Sequence, residues 1–124
     1  MSNLLLYSVV ETRLHPQMTA LYAQHGIDEE VFTSTRKVMS RIKKRAPDYV
    51  VADFVYGYSN NYAGVNISNL DVMLMAMQRY APDSKVIVLA QKHEIQYVSK
   101  LNDIYPLYAV LQLPVVQDEM TRLL

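Results

Sequence analysis

The chain has 124 residues, about half of them hydrophobic and a fifth charged, enough for one ordinary domain with its own core. Its 12 basic and 12 acidic side chains cancel, so no net field draws it to nucleic acid or a membrane surface. The absence of cysteine excludes disulfides, thiolate metal sites and cysteine nucleophiles. The opening "MSNLLLYSVVETR" lacks a signal peptide's basic flank and long apolar stretch, and no run approaches the ~18 apolar residues of a spanning helix. These features lead us to expect a soluble cytoplasmic domain covering residues 1–124.

In chain order, the first predicted strand is "LLLYSVV" (4–10). "PQMTALYAQHG" follows as a helix with Met18, Leu21, Tyr22 and His25 on one stripe, Pro16 in its first turn and Gly26 as its stop. "EVFTST" (30–35) is the second strand, and "RKVMSRIKKRA" the second helix, with Val38 and Ile42 on its apolar side. "PDYVVADF" carries the third strand (49–54), which ends on Asp53. After the loop "VYGYSNNYAGVN", "SNLDVMLMAMQRYA" places Leu70, Met73, Leu74, Met77 and Ala81 at helical spacing. Ser68 and Asp71 form a capping box there, with Asp in place of Glu. "KVIVLA" (85–90) is the fourth strand, "EIQYVSKLNDI" a helix with a weaker stripe, "YAVLQL" (108–113) the fifth strand and "VVQDEMTRLL" a short last helix.

The first, third and fourth strands are nearly continuous in apolar residues, as parallel strands covered on both faces require. Five β-α units predict an α/β fold: a single five-stranded parallel sheet, doubly wound as (βα)5, with the flavodoxin-like strand order 2-1-3-4-5. Ligands of such sheets bind at the carboxyl ends of the strands beside the switch between strands 1 and 3. Asp53 falls beside that crevice.

"PDYVVADF", then "KVIVLAQ", then "LQLPV", in this order and spacing on a five-unit α/β pattern, resemble the receiver domains of response regulators over essentially the whole chain. The resemblance implies two-component signalling of the bacterial kind and no enzyme activity or cofactor of its own. It places the family's phospho-acceptor on Asp53 and its two metal-binding acids on Ser8 and Val9. The hydroxyl residue after strand 4 falls on Ala90, and the lysine after strand 5 on Leu113, followed by the retained Pro114. Of these groups only the aspartate survives. Phosphoryl transfer is catalysed almost wholly by positioning and charge neutralisation, and Mg²⁺ wants carboxylates in near-octahedral array. The chain therefore looks like a degenerate receiver, a pseudo-receiver whose conventional phosphorylation chemistry is lost.

Several alternatives stay open at this level. Glu11 is a substitute metal ligand and Lys92 a substitute partner of Asp53, or both are solvent-facing loop charges; Asp53 itself is a phosphosite or a cap on the loop that follows it. Tyr56, Tyr58 and Tyr62, in the loop 56–66, form a recognition surface, a small-molecule lid, or a plug over the vacated site. His15, His25 and His93 have no acid or second histidine at ligand spacing, so no metal is expected. The six cations of 36–45 read as a solvated helix face, not a nucleic-acid site, and no glycine-rich turn follows strand 1 to hold a nucleotide. The resemblance implies a protein partner or output domain, or a homodimer, docking on the fourth helix, fifth strand and fifth helix. On this chain that face runs over 94–101 and 108–124, with Val115, Val116, Met120 and Leu123 as apolar contacts and Lys100 and Asp118 at the rim. It also implies a cis Leu113–Pro114 bond.

Overall fold

A computed structural model describes residues 3–57 and 68–124. Five parallel strands form its sheet: β1 (Leu4–Val9), β2 (Ile27–Phe32), β3 (Tyr49–Asp53), β4 (Lys85–Ala90) and β5 (Ala109–Gln112). They stand in the order β2-β1-β3-β4-β5. The helices are α1 (Thr19–Gln24), α2 (Thr35–Lys44), α3 (Asp71–Tyr80), α4 (Ile95–Val98), which continues into a 3-10 turn at Ser99–Asp103, and α5 (Gln117–Thr121). No helix among the described residues is long and apolar enough to cross a membrane.

Side-chain alternation along the strands splits the core in two. Tyr7 and Val9 of β1, Val50 and Ala52 of β3, and Val88 and Ala90 of β4 pack on one face against Val38, Ile42, Met73, Met77 and Val98 of α2, α3 and α4. Leu6, Val51 and Leu89 pack on the other face with Leu21 and Tyr22 of α1 and Met120 of α5. The period of two thus assigns Ser8 and Asp53 to the α1–α5 side, in phase with Leu6 and Val51. β1 and β3 are the strands where the order reverses, so their carboxyl ends open onto the switch point.

Local chemistry sets the element ends. Ser34 caps α2 by accepting the Lys37 N–H at 3.2 Å, and Arg41, Lys43 and Lys44 occupy its last turn, where the helix dipole favours cations. Gly26 has φ of 71°, the left-handed turn that carries the chain from α1 straight into β2. That turn corrects the expected second strand: it spans Ile27–Phe32 rather than 30–35. Pairing with β1 begins at once after Gly26, with Leu4 opposite Ile27, and the Ser34 cap ends any extension. Asp28, Glu29 and Glu30 then mark β2 as a charged sheet edge.

Before α3 the expected pair meets in a different pattern, with Leu70 as the N-cap residue: Ser68 Oγ and N–H both donate to Asp71 Oδ1 at 2.8 Å, and Ser68 Oγ accepts the Leu70 N–H at 3.0 Å. Leu70, Met73, Leu74, Met77 and Ala81 are all buried, whereas His25 of the α1 stripe is exposed. The first helix starts only at Thr19, because the segment before it is committed elsewhere.

Candidate functional site

Asp53 ends β3 with its side chain fully buried, 0% exposed. A buried carboxylate must find donors or lose its charge, and this one finds three. Its Oδ2 accepts the backbone N–H of Glu11 at 2.8 Å and of Thr12 at 3.0 Å. Its Oδ1 accepts the imidazole Nδ1–H of His15 at 2.9 Å, and that ring is itself only 4% exposed. The Asp53 carbonyl accepts from the Asn69 amide at 2.8 Å, while Asn69 Oδ1 accepts the Val55 N–H at 2.8 Å. Asp53 therefore caps the loop after β1, not the loop that follows it, and draws residues 11–15 across the strand ends.

This geometry defines the other expected positions. Ser8 lies on the Asp53 side of the sheet but donates its hydroxyl to Glu29 Oε2 at 2.5 Å, toward β2. Val9 and Ala90 face the opposite side and are fully buried core. Leu113 is buried with α1 and α5, and its bond to Pro114 is cis, as the resemblance implied. Lys92 is exposed and does not pair with Asp53; His15 holds that place. Glu11 is half-buried and turned toward the crevice. Burial pushes its carboxyl above the usual value, the charge of Asp53 adds to this, and hydrogen bonds from Asn69 and the Thr35 backbone oppose it.

Sequence reasoning treated His15 as isolated because its acid lies 38 residues away. Only the parallel pairing of β1 with β3 brings the two together, and no local spacing signals it.

The remaining tyrosine position divides in the same way. Tyr56 stacks on Tyr97 of α4 with ring centroids 3.9 Å apart, and its N–H donates to Glu94 Oε1 at 3.0 Å. Tyr58 and Tyr62 lie outside the described residues. Among the described residues no group of three or more histidines and carboxylates is placed to hold a metal. The divalent cation that the fold's chemistry calls for does not fit here. Ser8 and Val9 bring no carboxylate, and both Asp53 oxygens are engaged by the loop.

No family model and no curated protein sequence matches the chain. Solved structures do. A response regulator from Thermotoga maritima superposes with a TM-score of 0.72 at 14% identity, over 97% of this chain and 92% of that one. A response regulator from Burkholderia multivorans gives 0.71 at 14% identity, over 98% and 91%. The receiver domain of the Francisella response regulator 1452 gives 0.69 at 16%, over 98% and 93%. The fold is that of response-regulator receiver domains.

Two consequences are measurable. Asp53→Ala strands the N–H groups of Glu11 and Thr12 and the His15 ring, and lowers the unfolding free energy by about 3 kcal/mol or more. A urea titration showing a loss under about 1 kcal/mol would mean that the clamp is not structural. Glu11 acts with the opposite sign. Between its ordinary pKa of 4.5 and the raised folded value, the native state holds the proton more tightly than the unfolded chain. Stability therefore falls as pH rises through that window. Glu11→Gln should be more stable than the parent at neutral pH and equal to it below 4.5, and a constant difference across the range refutes the assignment.

Proposed function

We propose that this chain is an atypical receiver-like signalling domain that works through protein–protein contact and does not take a phosphoryl group on Asp53. The observation that carries the reading is the complete burial of Asp53 with both carboxylate oxygens already accepting hydrogen bonds. Attack on a phosphoryl donor needs an oxygen within about 3–3.5 Å of phosphorus and aligned with the leaving group. Here the loop 11–15 stands in that approach. Val9 and Ala90 turn to the opposite face and Leu113 is apolar, so none of these positions provides a donor for the transferred charge.

A partner surface is supported on the face of α4, β5 and α5. Tyr108 just before β5 and Val110 on it are 43% and 38% exposed, and Val116 before α5 is 58% exposed. Met120 is buried and docks α5 onto the sheet, with Leu123 and Val115 half-buried beside it. Lys100 and Asp118 are exposed and supply opposite charges at the margin. Apolar side chains gathered with a charged rim are the composition of a recognition surface. It suits a second copy of this chain or an output domain.

Incubation with Mg²⁺ and acetyl phosphate followed by intact mass measurement should leave the protein unmodified. A one-phosphate adduct that disappears in Asp53→Asn would establish an active acceptor and overturn the reading. For the face, sedimentation velocity at rising concentration should show self-association that Val110→Asp with Val116→Asp abolishes. A parent protein that stays monomeric throughout removes the homodimer.

A further inference from the structure

Helix α3 has one apolar face more than the core uses. Its Met73, Leu74 and Met77 are buried, with Leu70 and Ala81 buried at its ends. On the other side Val72 and Met75 are 49% and 46% exposed, Ala76 is half-buried, and the row ends on exposed Arg79. Positions 72, 75, 76 and 79 fall at i, i+3, i+4 and i+7, one face of a helix. A helix that is apolar on every side is normally covered on every side. The core covers only one side of α3.

Helix α2 packs beside α3 and has a different character. Arg36, Lys37, Lys43 and Lys44 are exposed, and none of them forms an ion pair among the described residues; Arg41 does, with Glu30 of β2. α2 contains no acid, and the one acid of α3, Asp71, is buried in the first turn and bonded to Ser68. The charges of the two helices meet at Tyr80, where Lys43 Nζ and Arg79 Cζ each lie 5.5 Å from the ring centroid. Met39 of α2 is half-buried at the margin of the same core. In a chain without net charge, this surface is locally cationic, and its cations border an apolar strip.

The chemistry of that surface selects its occupant. Unpaired cations call for carboxylates, and the strip calls for apolar side chains at helical spacing; together these describe an acidic amphipathic helix. Two helices packed about 8–10 Å apart leave a trough along which a third can lie. Methionine suits such a seat, because its unbranched side chain adapts to what is laid against it. Nucleic acid would meet the cations but set Val72 and Met75 against phosphate and sugar. A bilayer surface asks for outward Trp, Phe or Leu, which neither helix supplies.

We infer that the α2–α3 surface is a docking site for an acidic amphipathic helix of a partner protein. Its apolar stripe lies on Val72, Met75 and Met39, and its carboxylates turn to Arg36, Lys43 and Arg79. The site shares no residue with the α4–β5–α5 face or the Asp53 clamp, so it stands or falls independently of both.

The test presents the intact, isotopically labelled chain with a displayed library of helical peptides of random composition. Enriched peptides should carry Asp or Glu beside an apolar stripe, shift the amide signals of 36–43 and 72–80, and lose affinity as salt rises. Arg36→Glu with Lys43→Glu should weaken them tenfold or more, and so should Val72→Ser with Met75→Ser. All four substitutions fall at exposed positions, so the melting temperature of the free protein should hardly move. Val110→Asp with Val116→Asp should leave the affinity unchanged. A library that yields no acidic helix, or winners that bind either α2–α3 double variant as well as the parent, overturns the inference. So does a DNA duplex or a phosphatidylglycerol vesicle that binds this surface more tightly than any peptide. Self-association of the free chain that Val72→Ser with Met75→Ser abolishes would give the surface to a second copy and overturn it as well.

Discussion

The structure turns on one buried carboxylate. Removing Asp53 from water costs several kcal/mol unless its charge is met by donors. The chain meets it with two backbone N–H groups and an imidazole from a single loop. Hydrogen bonds to a charged group contribute roughly 1.5–3 kcal/mol each, so together they set the course of residues 10–16 over the strand ends. The same bonds also make the carboxylate a fastening between two parts of the fold, which any new ligand of its oxygens would have to displace or share.

The positions around it are mostly apolar. Val9 and Ala90 face away from Asp53 and fill the core against α2, α3 and α4, while Leu113 fills the core against α1 and α5. Where charge-handling groups would be solvated, this chain has apolar packing, which stabilises by about 25 cal/mol per Å² buried. Ser8 keeps a polar atom but turns it to Glu29 on the edge strand. The crevice has thus become continuous with the two cores it separates, and polar chemistry has moved outward, toward α1 and β2.

Much of this was legible in the sequence, and the parts that were not share a physical cause. The unbroken apolar runs of β1, β3 and β4 announced a sheet covered on both faces, and the spacing of Leu70, Met73, Leu74 and Met77 announced α3. Those signals are local, and burial enforces them. The second strand was displaced because "EVFTST" has more β-branched residues than "IDEE", yet the left turn at Gly26 and pairing with β1 outweigh propensity at a sheet edge. The start of α1 was set too early because Pro16 suits a first turn, but the loop before Thr19 is held by Asp53. The His15–Asp53 pair had no signal at all. It depends on which strands become neighbours, a property of the whole sheet that no window of residues contains.

The clamp also has a route outward. From Asp53 the contacts run through its carbonyl to Asn69, from Asn69 to Val55, and from Tyr56 to Glu94 and Tyr97 on α4. Contiguity alone transmits nothing; two sites are coupled only through an element with two arrangements whose balance both of them bias. The loop between β1 and α1 is the element placed to have them. Its Arg13 and Leu14 are exposed, its Met18 is buried in the core, and the clamp's hydrogen bonds fasten it to the strand ends. This receiver fold holds a carboxylate at the strand ends connected by hydrogen bonds to the α4 surface. What differs is the group that engages it, here an imidazole from the chain itself.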